Sequence, residues 1–328
     1  MRDHGGNLGA AIQRFGGAAE EWIDLSTGIN RQPYPLPALP PEAWTALPTA
    51  EAEADLIAAA SEAYRTPAAI LPLAGAQAAI QLLPRLQAPG EMRVLGPTYN
   101  EHAASFAAQG WRVSEVARFA ELGGADAAVL VSPNNPTGPL APDPGELIGD
   151  ILELAATTHL TIIDESFVDA TPEASVAPHL GAPGLIVLRS FGKFYGLAGV
   201  RLGFALGAEA DIAALRAAAG PWAVSGPALA IGAAALKDRA WAEATTTRLG
   251  AETARLDALV RTAGWRPLGG THLFRLYDTG DAASAQARLA GQKIWSRIFP
   301  YSESWLRLGL PGSASEWARL ETALSASA

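Results

Sequence analysis

Short apolar runs separated by polar, glycine- and proline-bearing turns set the rhythm of the middle of the chain. Met92–Leu95, Asp126–Val131, Leu160–Ile163, Leu185–Leu188 and Gly203–Leu206 each read as a strand, the later ones apolar throughout, as strands buried on both faces are. Ile70–Leu73 runs into the small-residue turn Ala74-Gly75-Ala76-Gln77, which opens a helix. Glu51–Tyr64, alanine-rich with an acidic start and Pro67 beyond its end, predicts a helix, and so does Glu146 to about Ala156. Strands therefore alternate with helices across roughly residues 70–206, the signature of a wound, mostly parallel α/β sheet with its ligand at the strand ends. Beyond Pro221-Trp222-Ala223-Val224, helical stretches around Pro227–Lys237 and Trp241–Gly264 predict a long crossing into a smaller domain. Its expected strands are Leu273–Leu276, Ile294–Arg297 and Trp305–Leu308.

The N-terminal part is less regular. A helical run follows His4-Gly5-Gly6-Asn7 and stops at Gly16-Gly17; glycines here suit close approach to an anion and equally suit a loose terminus. Trp22–Asn30 is a short extended segment, and the prolines at 33, 35, 37, 40 and 41 exclude helix and central strand, leaving a fixed-path linker or active-site loop. The chain shows no internal repeat. The expected division is a large domain over 45–230, a small one over 231–328, and an N-terminal segment 1–44 joining them.

Totals narrow the function. With 24 basic against 33 acidic side chains in 328 residues the net charge is -9, so no broad attraction to nucleic acid or an anionic membrane is expected. No apolar run approaches the ~18–20 residues of a membrane span, and no signal-peptide pattern is seen. The absence of cysteine excludes disulfides and thiolate chemistry and is compatible with a cytoplasmic setting. The five histidines are scattered without metal-ligand spacing, so no metal is expected.

The candidate chemistry lies at the strand ends. Lys193, in Ser190-Phe191-Gly192-Lys193-Phe194-Tyr195-Gly196, follows an apolar strand among small and aromatic residues. A lysine there is a candidate Schiff-base former, because partial desolvation beside a cation lowers its pKa; a lone lysine is more often a solvated loop residue. Asn135, in Asn134-Asn135-Pro136-Thr137-Gly138, offers an amide between prolines. Asp164 ends a buried strand, where a carboxylate needs a partner; a pyridinium N–H is one, a turn cap another. Tyr99 could stack on a flat cofactor or simply pack.

Taken together, Gly75-Ala76-Gln77, Tyr99, Asn135, Asp164, Ser190-x-x-Lys193 and Arg201 resemble the fold-type I pyridoxal-phosphate enzymes in order and spacing, over nearly the whole chain. The resemblance implies a seven-stranded, mostly parallel large-domain sheet with a smaller α/β domain, and a homodimer. It implies that Lys193 holds the cofactor and moves protons, Asp164 keeps the pyridine nitrogen protonated, Asn135 bonds the ring oxygen, and Tyr99 stacks on the ring. Gly75, Ala76, Gln77, Ser190 and Arg201 would hold the phosphate, and Arg307 would bind the substrate carboxylate.

Within that fold the chain resembles the threonine-phosphate decarboxylases of cobalamin biosynthesis, neighbours of the histidinol-phosphate aminotransferases. His4-Gly5-Gly6-Asn7, Leu25-Ser26-Thr27-Gly28-Ile29-Asn30, Phe167 and Pro221-Trp222-Ala223-Val224 favour the decarboxylases. The aminotransferases, the alternative reading, place a tyrosine where Phe167 stands. The implied substrate is a small phosphorylated amino acid, with His4, Gly5, Gly6, Asn30, Asn135, Arg297 and Arg307 as the candidates to bind it. Two departures stand out. Leu47-Pro48 occupies the place where aminotransferases offer a partner-subunit tyrosine to the cofactor phosphate. Arg31-Gln32 replaces the proline that commonly follows the asparagine, which leaves the geometry of Asn30 open.

Overall fold

The computed structural model describes residues 5–325. They form two compact units, one of residues 34–135 and 139–243, the other of residues 5–33, 136–138 and 244–325. The last of its passages from one to the other, between residues 243 and 244, falls inside a single long helix, Arg239–Thr262.

The larger unit is built on seven strands: β1 (Ala69–Leu73), β2 (Glu91–Leu95), β3 (Arg112–Val116), β4 (Ala127–Val131), β5 (Leu160–Asp164), β6 (Leu185–Ser190) and β7 (Gly203–Gly207). Their order across the sheet is β1-β7-β6-β5-β4-β2-β3. All neighbours from β3 through β6 run parallel, while β7 lies antiparallel to both β1 and β6. The mostly parallel seven-stranded sheet is thus present, with one reversed strand.

Burial follows the sequence pattern. β4, β5 and β7 are buried at every position and β6 at all but the last, which is what their unbroken apolar runs require. β3 is different. Arg112-Val113-Ser114-Glu115-Val116 lies at the sheet edge with mostly exposed side chains, so its polar sequence carries no strand signal. The opposite edge, β1, accommodates Pro72 because an edge strand can lack one donor.

This topology gathers the candidate residues of the larger unit. Asn135, Asp164 and the Ser190–Lys193 stretch follow or close the C-terminal ends of parallel strands, and Gly75 and Tyr99 follow β1 and β2. β7 runs the other way, so Arg201, just before its start, reaches the same sheet edge.

The second unit carries a four-stranded antiparallel sheet. In chain order its strands are β8 (Arg266–Thr271), β9 (Phe274–Asp278), β10 (Arg297–Phe299) and β11 (Ser302–Gly309), arranged β10-β11-β9-β8. β8 escaped the sequence reading because Pro267, Gly269 and Gly270 argue against a strand; Gly269 is required since a Cβ there would stand 2.2 Å from the Thr137 carbonyl oxygen. The single strand expected over Ile294–Arg297 is two. Ile294–Trp295 pairs in parallel with Ile23–Asp24, and Arg297 belongs to β10. Between them the buried Ser296 gives its carbonyl to the Gln286 side-chain amide at 2.8 Å, not to a strand neighbour. The helix Leu8–Phe15 closes a small apolar cluster with Trp22, Ala290 and Trp295.

Candidate active site

A pocket in the larger unit is lined by Gly75, Ala76, Gln77, Tyr99, Asn135, Asp164, Phe167, Ser190, Lys193 and Arg201 among others. Every residue that the sequence nominated for a cofactor is in this one cavity.

At one side lies Asp164, 2% exposed. Burial pushes its carboxyl up, but hydrogen bonds and charge from His102 and Ser166 outweigh that and hold it below the ordinary carboxylate value. Its Oδ2 is 2.8 Å from His102 Nε2, and its Oδ1 accepts from the Ser166 amide at 3.0 Å and from the Ser166 hydroxyl. Asp164 therefore stays anionic inside the protein.

His102 was missed in the sequence. It is fully buried in the helix Glu101–Ala108, sixty-two residues from its partner, and its Nδ1 has no hydrogen-bond partner among the described residues. Nothing local distinguishes it from any histidine in an alanine-rich helix.

The pocket lining also includes the start of the helix Ala76–Leu82 and Arg201. Gly75 caps the helix Ala76–Leu82 with φ +81, and a Cβ on it would stand 2.7 Å from Arg201 Nη2. Lacking that carbon, Gly75 lets the guanidinium come close to the backbone just ahead of the helix. Arg201 itself has left-handed backbone, φ 55.

Within the lining, Tyr99 donates its hydroxyl hydrogen to Gln77 Oε1 at 3.2 Å. Lys193 Nζ stands 5.8 Å from the centre of the Phe167 ring. The two adjacent asparagines divide their work. Asn134 accepts from Thr98 Oγ1 at 2.6 Å and donates to the Pro97 carbonyl at 3.1 Å, tying two loops together, while Asn135 lines the pocket.

Alternation along the strands places a second group of charges next to these residues. Arg189, one before Ser190, is buried and meets Glu165 Oε2 at 3.2 Å, Asp169 Oδ1 at 2.5 Å and the Tyr64 ring face at 4.1 Å. Glu165, one after Asp164, also accepts from the Ser175 hydroxyl and the Val176 amide, both at 2.6 Å. The ends of β5 and β6 are clamped by this network. It too went unread, since its members are contiguous only in the fold.

The aminotransferase class I and II profile matches residues 21–324. The chain is 44% identical to the threonine-phosphate decarboxylase of Pseudomonas aeruginosa, over 99% of this chain and 97% of that protein. It is also 44% identical to a threonine-phosphate decarboxylase from a Sinorhizobium species, over 98% and 97%. Among solved structures, a histidinol-phosphate aminotransferase of Sinorhizobium meliloti in complex with pyridoxal-5'-phosphate superposes with a TM-score of 0.79 at 22% identity, covering 97% of this chain and 93% of that one. The chain belongs to the aminotransferase class I and II family.

In this family member Gly5, Gly6, Asn30, Arg297 and Arg307 belong to the second unit. Arg307 on β11 is buried, donates from Nη2 to the Ser26 carbonyl at 2.6 Å, and lies over the Phe274 ring at 4.8 Å. Burial and then the charge of Arg297, its cross-strand neighbour, bring its pKa down to about 10, so it remains a cation at neutral pH. Gly5 fits so closely that a Cβ would be 2.5 Å from the Ser26 carbonyl oxygen, and Gly6 donates its N–H to Ser26 Oγ at 2.8 Å. Asn30 is buried, with its side-chain oxygen engaged by Gln32 and Arg248. His4, also nominated, lies outside the described residues.

No helix among the described residues is long and apolar enough to cross a membrane. No group of three His, Asp or Glu side chains among them could hold a metal.

Proposed function

We propose that the chain is a pyridoxal-phosphate-dependent decarboxylase that converts L-threonine O-3-phosphate to (R)-1-amino-2-propanol O-2-phosphate and carbon dioxide, serving cobalamin biosynthesis in the cytoplasm as a homodimer. The observation that carries the reading is 44% identity, over nearly the full length, to two threonine-phosphate decarboxylases.

The donor set suits the cofactor. The lining contains a buried anionic carboxylate, suited to a protonated ring nitrogen. It also contains a guanidinium beside a helix start, suited to a phosphate, together with an amine and an aromatic ring. Bound pyridoxal phosphate supplies a sink for the electrons released when the bond to the substrate carboxylate breaks.

The chain's own residues do the rest. Asp164, kept ionised by His102 and Ser166, would hold the protonated ring nitrogen of the cofactor. Lys193 would hold the cofactor through its amine, and the same amine would be the group that carries a proton to the substrate α-carbon. Asn135, Ser190 and Arg201 orient. Arg307 grips the carboxylate with its planar fork, which sets the bond to be broken, while Gly5, Gly6, Asn30 and Arg297 are the groups for the anionic substrate. Phe167 contributes no hydroxyl, so the ring oxygen receives one donor fewer than in a site with tyrosine there.

Purified holoenzyme given L-threonine phosphate is expected to release carbon dioxide. Lys193→Ala is expected to abolish that release together with the visible absorbance of the cofactor-loaded protein. Keto-acid-dependent amino transfer from histidinol phosphate, with no carbon dioxide from threonine phosphate, would overturn the reading.

A further inference from the structure

Glu165 and Asp169 stand at the two ends of a short turn that follows β5. Between them lie Ser166 and Phe167, which line the pocket, and Val168, whose N–H closes the turn on the Glu165 carbonyl at 3.2 Å. One guanidinium holds both ends. Arg189 donates from Nη1 to Glu165 Oε2 at 3.2 Å and from Nη2 to Asp169 Oδ1 at 2.5 Å, so each nitrogen of the planar fork serves a different end. Burial acts against the charge of Arg189, but Asp169 and then Glu165 outweigh it and hold its pKa above the ordinary value. Glu165 is fixed besides by the Ser175 hydroxyl and the Val176 amide, whereas the Asp169 side chain is held by Arg189. Arg189 is also the residue before Ser190 and four before Lys193, so this staple joins the turn to the strand end that carries the lysine. Across it the Phe167 ring stands 5.8 Å from Lys193 Nζ, and all of these residues belong to the larger unit.

We propose that Arg189 and Asp169 are positioning residues for Lys193: the staple between them holds the Phe167 ring beside the amine, so that the cofactor meets the lysine against a fixed aromatic wall. The inference rests on the proposed function, which makes Lys193 the residue that holds the cofactor, and goes beyond it in naming what sets the surroundings of that lysine. A lysine in place of Arg189 is a point charge and cannot reach both ends of the turn as a fork does. An amide in place of Asp169 keeps an acceptor but loses the charge that makes the contact strong. Either change releases the far end of the turn, and Phe167 with it.

The test uses the lysine count. Lys193, Lys237 and Lys293 are the only lysines of the chain, and the last two, which do not line the pocket, serve as references within the same molecule. Full-length protein freed of cofactor is mixed briefly with pyridoxal phosphate and reduced with borohydride, and the label on each lysine peptide is read by mass. Wild type is expected to carry it on Lys193 well ahead of Lys237 and Lys293. In Asp169→Asn the ratio of Lys193 to the other two is expected to fall about tenfold, short of the ~100-fold that a misplacement of about 1 Å can cost. Phe167→Leu, which removes the ring, is expected to lower the ratio to a similar degree. Asp169→Asn added to Phe167→Leu is then expected to change it by less than about twofold, because no ring is left to hold. A role in stability alone would lower the ratio by the same factor with and without the ring. Thermal unfolding accompanies each variant, and if Asp169→Asn does not fold, Arg189→Lys takes its place in the same comparison. An unchanged ratio in a folded variant, or equal losses in the two backgrounds, overturns the inference. Wild-type protein labelled on Lys237 or Lys293 in preference to Lys193 overturns the choice of cofactor lysine instead, and the inference falls with it.

Discussion

Asp164 shows how much of a site depends on a residue that never meets the ligand. Burial is the largest influence on its carboxyl and acts to neutralise it; the contacts with His102 and Ser166 reverse the sign. Because the folded pKa is depressed, the ionised carboxylate in its contacts stabilises the protein above the unfolded value near 3.8, and this contribution is lost as pH falls through the folded pKa. His102→Ala removes the main counterweight, so burial prevails and the carboxyl rises. Urea unfolding at neutral pH is expected to show a loss of about 1–3 kcal/mol, the cost of a buried acceptor left without its partner. The gap to wild type is expected to shrink as pH drops below the carboxylate range, and a gap independent of pH would defeat this account. The acid limb of the activity profile is expected to move to higher pH for the same reason. Lys193, Asn135 and Asp164 were legible in the sequence because each follows an apolar run at a strand end. His102 was not, for its meaning comes from one contact across the fold.

At the scale of elements, the pocket depends on how closely β7 approaches the helix Ala76–Leu82. A Cβ on Gly203 would stand 2.3 Å from the Ala76 nitrogen, 2.6 Å from the Gly75 carbonyl carbon and 2.9 Å from the Arg189 oxygen. All three are backbone atoms of secondary structure, so none can swing aside as a side chain would. Gly203→Ala is therefore expected to push the helix start away from β7, costing about 1–3 kcal/mol as overpacked sites do, and to weaken retention of pyridoxal phosphate on dialysis. Gly199→Ala, where a Cβ meets nothing within 4 Å, is the control and is expected to stay within about 0.5 kcal/mol of wild type. Equal behaviour of the two variants would show that close approach is not what Gly203 provides. The same closeness explains what sequence reading recovers among the strands. β4 to β7 are apolar because other elements cover both faces, and they were read within a residue or two. β3 at an exposed edge and the glycine-bearing β8 owe their state to neighbours, and no local pattern announces them.

The whole molecule shows an asymmetry that neither the pocket nor the cores explain. Leu36, Trp44, Leu47 and Trp222, all in the larger unit, are 60–68% exposed, and Pro48, Thr49 and Trp222 line a common groove. Trp222 also has φ +55, a conformation that bulky residues rarely adopt, so the chain accepts strain while keeping a large apolar ring in solvent. Such a combination is expected where a second copy of the chain covers the ring, in keeping with the homodimer proposed above. In sedimentation the protein is then expected to have twice the 34.0 kDa of one chain. Trp222→Gly separates the two sides of the argument. Glycine adopts a positive φ without strain, so each chain is expected to lose no stability, whereas the dimer loses a large aromatic anchor and its dissociation constant is expected to rise tenfold or more, about the effect of truncating an interface hot spot. A monomeric wild type, or a variant whose chains unfold while their association is unaffected, would place the reason for Trp222 inside the single chain.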